Sequence, residues 1–143
     1  VSAEIGMLKG VEIARWTVLA AAIEAAATGL VLFARPSWFA RLVFGSEFSD
    51  AGSALGRLTS IALLGLTLAT WPSGAVGPLP SSVRALMTYN VLAAIYLLYL
   101  AIGHQLTGIL LWPAIALHAI LVIFLGHAWL AKRDRESAED FSI

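Results

Sequence analysis

No cysteine occurs among the 143 residues, which removes disulfides, thiol redox chemistry, thiolate zinc sites and iron–sulfur clusters. Charge is scarce as well. Asp, Glu, Lys and Arg make up 13% of the chain, and nine acidic residues balance nine basic ones. That balance leaves no cationic excess to hold a nucleic-acid backbone and no acidic excess of the kind that keeps a chain disordered, so no nucleic-acid partner is expected. Catalytic motifs are missing too: there is no G-x-S-x-G elbow, no Walker glycine loop, no H-E-x-x-H, no G-x-G-x-x-G, and no acidic cluster inside the apolar stretches for magnesium chemistry. An enzyme is therefore not expected, nor is any cofactor or metal. What fills the chain is apolar, with 59% hydrophobic residues and a mean hydropathy of +0.85. This is the composition of an integral membrane protein whose first partner is the lipid bilayer.

The number of crossings follows from where charge is absent. Residues 85–131 contain no Asp, Glu, Lys or Arg. One helix of that length would reach about 70 Å, against a hydrocarbon core of roughly 30 Å, so the run must fold back on itself. The turn belongs at residues 103–108, the one cluster of glycines and polar groups in the run, which gives spans over 84–103 and 107–131. Upstream, the stretch 11–34 is apolar apart from Glu12, Arg15, Thr17, Glu24 and Thr28, and it stops at Arg35-Pro36, since the residue before proline is pushed out of the helical region. It is longer than a signal h-region and lacks a cleavage site, and so reads as a retained span. A further span covers 51–71, with Asp50 expected as its N-cap and Trp71-Pro72 as its end.

The expected fold class is thus all-α, a four-helix transmembrane bundle. Between spans 1 and 2, the aromatic-rich segment 36–45 is too short to cross and suits either a helix lying in the interface or a cap over the bundle end. The linker 72–82, with three prolines, is a turn-rich loop with Ser81 or Ser82 capping the third span. Residues 132–143 form a charged, solvated tail of frayed helix. Four crossings put both termini on one side, which carries Lys9, Arg15, Arg84, Lys132, Arg133 and Arg135. The other side has Arg35, Arg41 and Arg57. Six against three places both termini in the cytoplasm of a multi-pass protein of the bacterial inner membrane.

In lipid, helices associate through close backbone approach and interhelical hydrogen bonds. The first span offers Ala20, Ala21, Ala22, Ala25, Ala26 and Ala27, and the second offers Gly52, Gly56 and Ser60 at intervals of four, on one face. These stripes suit packing within the bundle or, alternatively, the seam of a homo-oligomer or larger membrane complex. Spans three and four, rich in leucine and isoleucine, read as more lipid-facing.

Glu24 is the residue most at odds with its solvent. Halfway along the first span, a carboxylate costs on the order of 2.5–3.5 kcal/mol even on lenient insertion scales. It is either a proton- or cation-exchanging site or a hydrogen-bonded tie between helices. His118 falls at similar depth if spans one and four pack antiparallel. Arg57, nearer the non-cytoplasmic face, is a second candidate partner, or else a residue snorkelling to the interface, with Arg41 or Glu47 competing. Asn90 reads as interhelical glue, and Glu12 with Arg15 as a surface pair. A bis-histidine haem is disfavoured, because His104 lies at the hairpin turn, His118 in mid-membrane and His127 about 13 Å further along by helical rise.

Four spans, the break at Ala34-Arg35-Pro36-Ser37-Trp38-Phe39 and the following Leu55-Gly56-Arg57-Leu58 resemble small bacterial DoxX-like membrane proteins, many without assigned function. Separately, Ala20 to Thr28, with its mid-span glutamate, looks like the first helix of small multidrug-resistance transporters, a likeness covering that helix alone. It implies a glutamate that binds cation and proton. Two expectations follow. One is a non-enzymatic accessory or interaction subunit, enclosing a lipophilic ligand. The alternative is a proton-coupled small-molecule transporter working as a dimer around Glu24.

Overall fold

A computed structural model describes the backbone of residues 2–72, 80–103 and 106–140, with side chains over 10–72, 80–103 and 106–131. The linker residues 73–79, His104 and Gln105 of the hairpin turn, and the last tail residues 141–143 lie outside the described residues. Five helices and no strand occur among the described residues: α1 (Ser2–Ala34), α2 (Pro36–Phe44), α3 (Asp50–Thr70), α4 (Pro80–Ile102) and α5 (Leu111–Asp140). Four of them contain stretches long and apolar enough to span a bilayer, namely Gly10–Ala34, Asp50–Thr70, Pro80–Ile102 and Leu111–Ala131. The chain is an all-α, four-helix membrane protein with a short helix between its first two spans.

Boundaries shift from the sequence expectation for local reasons. Ser49 caps α3, its hydroxyl accepting from the backbone N–H of Gly52 at 3.1 Å, so Asp50 is the first helical residue and not the cap. α4 begins earlier than Arg84, at Pro80, because proline suits the first turn, where N–H groups have no helical partner. α5 begins at Leu111, later than expected, because the residues before it are engaged by α2. There the N–H of Thr107 bonds the Phe44 carbonyl at 3.2 Å and the N–H of Leu110 bonds the Leu42 carbonyl at 2.8 Å. The backbone of α5 stays helical through Asp140, past the end of its span.

The principal helix pairs are α1 with α3 and α4 with α5, completed by α1 with α5 and α3 with α4. α1 also touches α4 across the bundle. The α1–α3 contact uses small residues: Gly29 of α1 lies against the Ser60 carbonyl and Leu63, and Gly56 of α3, buried like Ser60, lies against Leu32. Thr67 adds an interhelical bond, its hydroxyl donating to the Ala22 carbonyl at 3.3 Å. Gly52, by contrast, is half-buried beside Phe48 and Ser49 of the preceding loop. The fourth span is the least buried of the four, as expected, and the third is buried no less than the second; within α5, Leu111, Leu121 and Leu125 are buried while Ile120, Ile123 and Phe124 are exposed.

α2 buries Pro36, Ala40 and Val43, spaced at one helical face, and exposes Trp38 and Arg41. It caps the bundle end against α1, α3 and α5. Gly45 ends it in the left-handed region at φ 75°, its N–H donating to the Arg41 carbonyl at 3.1 Å. The interior divides into two apolar clusters. Val18, Ala21, Val83, Leu86, Leu121 and Leu125 fill the half nearer the termini. Val43, Ala101 and Leu111, with Phe39 and Phe44 against them, fill the half under α2.

Candidate functional site

Between these two clusters the helices bring polar side chains together. On α1, Glu24 follows Ala21. On α4, Asn90 follows Leu86, and on α5, His118 precedes Leu121, so all three lie just beyond the first cluster along their helices. Asn90 is fully buried, and the side chains of Glu24 and His118 are 11% and 8% exposed.

The hydrogen bonds define the site's chemistry. The Asn90 amide Nδ2 donates to the Leu86 carbonyl one turn back, at 2.8 Å. This orients Oδ1 as an acceptor, 2.8 Å from His118 Nδ1. Nδ1 therefore carries the hydrogen, and the neutral ring presents the lone pair of Nε2. That atom faces Glu24 Oε1 at 3.9 Å. The separation exceeds hydrogen-bond range, and a side-chain shift of about 1 Å closes it. The Thr28 hydroxyl, one turn along α1, donates to the same Oε1 at 3.0 Å. Glu24 Oε2 is buried with no hydrogen-bond partner among the described residues. Tyr89 sets its ring edge to face against His118, with centroids 5.6 Å apart.

This arrangement is an acid facing a base, in which one proton can reside on the carboxyl or on Nε2 with zero net charge either way. The Asn90–His118 bond ties α4 to α5, and Glu24 of α1 faces that pair without a hydrogen bond to it. Three of the four polar residues singled out in the sequence, Glu24, Asn90 and His118, thus sit in one cluster. The fourth does not. Arg57 is exposed and lines a surface cleft with Arg35 and Arg41, because two turns of α3 carry it towards the end of the bundle. Glu47 pairs with Arg41, and Glu12 and Arg15, both exposed, form no ion pair with each other.

Tyr89, which the sequence offers only as a packing aromatic beside Asn90, packs against His118, and the Thr28 bond was not anticipated. The Glu24-Thr28 spacing of four was the available signal for that bond. Among the described residues no group of three His, Asp or Glu side chains lies close enough to hold a metal ion. His127 is exposed on α5, and His118 is engaged by Asn90.

Among the described residues, two surface clefts stand out. One, of about 600 Å³, lies at the α1–α2–α3 end, and a smaller one of about 210 Å³ is bounded by Tyr99, Leu100, Ile102 and Gly103 of α4. Neither is lined by Glu24, Asn90 or His118. No family model, curated protein or solved structure matches the chain.

Proposed function

We propose that the chain is a non-enzymatic integral membrane subunit of accessory or interaction type, in which the buried polar cluster holds the bundle in one arrangement. The observation that carries this reading is the Asn90–His118 bond. It spends the imidazole Nδ1 and the carboxamide on each other, between two apolar clusters and away from both clefts. Buried polar groups satisfied in this way fix helix rotation and register, which apolar packing in lipid specifies weakly. Large exposed side chains on the outer faces, among them Trp16, Leu30, Leu68 and Ile109, suit lipid, a partner helix or a second copy. The DoxX-like resemblance, which rests on residues 34–39 and 55–58 and on the four-span outline, is part of the same proposal. A lipophilic ligand has the small α4 cleft in its favour. The excess of Lys and Arg on the terminal side supports both termini in the cytoplasm of a bacterial inner membrane.

A second reading rests on one atom. Glu24 Oε2, buried and without a hydrogen-bond partner among the described residues, is the feature that favours a proton-coupled transporter working as a dimer. Glu24→Gln separates the two readings. In proteoliposomes with an imposed pH gradient, a structural cluster predicts no gradient-driven accumulation of tetraphenylphosphonium by either wild type or variant. It also predicts a thermal midpoint within about 4 °C of wild type, because the glutamine amide keeps an acceptor for Thr28. Accumulation by wild type that vanishes in the folded variant would establish the transporter.

A further inference from the structure

The other end of the bundle carries charge that the buried cluster leaves unused. α1 stops at Ala34, α2 starts at Pro36 and α3 starts at Asp50, so the first turns of α2 and α3 open on the same cleft of about 600 Å³. Its walls include Arg35, Ser37, Trp38, Arg41, Asp50 and Arg57. One candidate span ends at Ala34 and the next begins at Asp50, which sets the cleft at headgroup depth.

A single arginine at that depth is explained by snorkelling. Three arginines from three different segments, lining one cleft, are not. Arg41 is paired with Glu47, whereas Arg35 and Arg57 form no ion pair among the described residues. The positive ends of two helix dipoles add to the guanidinium charge, and Asp50 opposes it. The sum attracts an anion, and the planar guanidinium fork matches phosphate oxygens in particular. The volume falls within the range of ordinary ligand sites. Apolar surface adjoins it on both flanking helices: Leu30 and Phe33 of α1 and Leu58 and Ile61 of α3 are exposed. A free phosphate would use the arginines alone, while a phospholipid would use the arginines and this surface together.

We propose that this cleft binds the phosphate of an anionic phospholipid, with Arg35 and Arg57 as its principal donors and the acyl chains lying against α1 and α3. The test is native mass spectrometry of the detergent-solubilised protein titrated with dioleoyl phosphatidylglycerol, dioleoyl phosphatidylcholine or inorganic phosphate. Saturable retention of phosphatidylglycerol over phosphatidylcholine is expected. Arg35→Gln and Arg57→Gln should each weaken it about tenfold, the scale of a lost hydrogen bond to a charged group. Asp50→Asn, which removes the opposing carboxylate, should tighten it by about two- to fivefold, and Arg84→Gln at the opposite end of the bundle should leave it unchanged. Helical content by circular dichroism keeps a folding failure distinct from a binding loss. Equal retention of the two lipids, or wild-type retention in both arginine variants, would overturn the proposal. So would inorganic phosphate binding as tightly as the lipid, which would make the source a free anion.

Discussion

Gly108→Ala is expected to destabilise the folded chain by about 3 kcal/mol, a large effect for one methyl group. A Cβ at residue 108 would run into the carbonyl carbon and oxygen of Val43, which are backbone atoms of α2 and cannot swing aside as a flexible side chain would. Relief requires the loop to lift away from α2. Lifting it stretches the Thr107–Phe44 and Leu110–Leu42 backbone bonds, and an N–H or carbonyl released at the bundle end has few alternatives. Gly126 of α5 is the internal control, since a Cβ there meets nothing within 4 Å. Gly126→Ala should be neutral or stabilising by up to about 1 kcal/mol, through helix propensity. Reversible unfolding in mixed micelles measures both. Similar stabilities for the two variants would mean that α2 and the α4–α5 turn are not in close contact.

His118→Ala should cost about 3 kcal/mol in the same assay. The hydrogen bond is the smaller part, because polar ties between membrane helices average about 0.6 kcal/mol and reach about 1.7. The larger part is the void left between α1, α4 and α5, with Asn90 Oδ1 losing its donor and Tyr89 its edge-to-face partner. His127→Ala, nine residues further along α5 at an exposed position, should fall within about 0.5 kcal/mol of wild type. Comparable losses at the two histidines would remove the distinction between a buried tie and a surface residue.

The spans were legible because a bilayer enforces a length and an absence of charge, and both can be read along a chain. Depth was legible for the same reason: antiparallel spans of known start put Glu24 and His118 level with one another. Rotation about each helix axis was not, since alanines lie on nearly every side of Glu24 in sequence. Whether it met His118, Arg57 or Asn90 therefore waited on contacts. Of the two readings left open for Arg57, the exposed position at the bundle end is the one the structure shows, and the cleft it shares with Arg35 and Arg41 depends on how α2 folds back between α1 and α3. The docking of Gly108 against Val43, a contact between segments more than sixty residues apart, moved the start of α5 to Leu111. Ser49 displaced Asp50 as the cap of α3 because both residue types cap equally well, so which one does is decided by the path of the chain entering the helix.

The central claim is that the bond between Asn90 and His118 holds α4 to α5 at the depth of Glu24. A double-mutant cycle with Asn90→Leu and His118→Phe tests it most directly, because both replacements keep bulk while removing the polar atoms. Unfolding free energies of wild type, the two single variants and the double variant should give a coupling of about 1 kcal/mol, each single change leaving the other group buried and unpaired. Additivity of the two changes, to within about 0.3 kcal/mol, would contradict it.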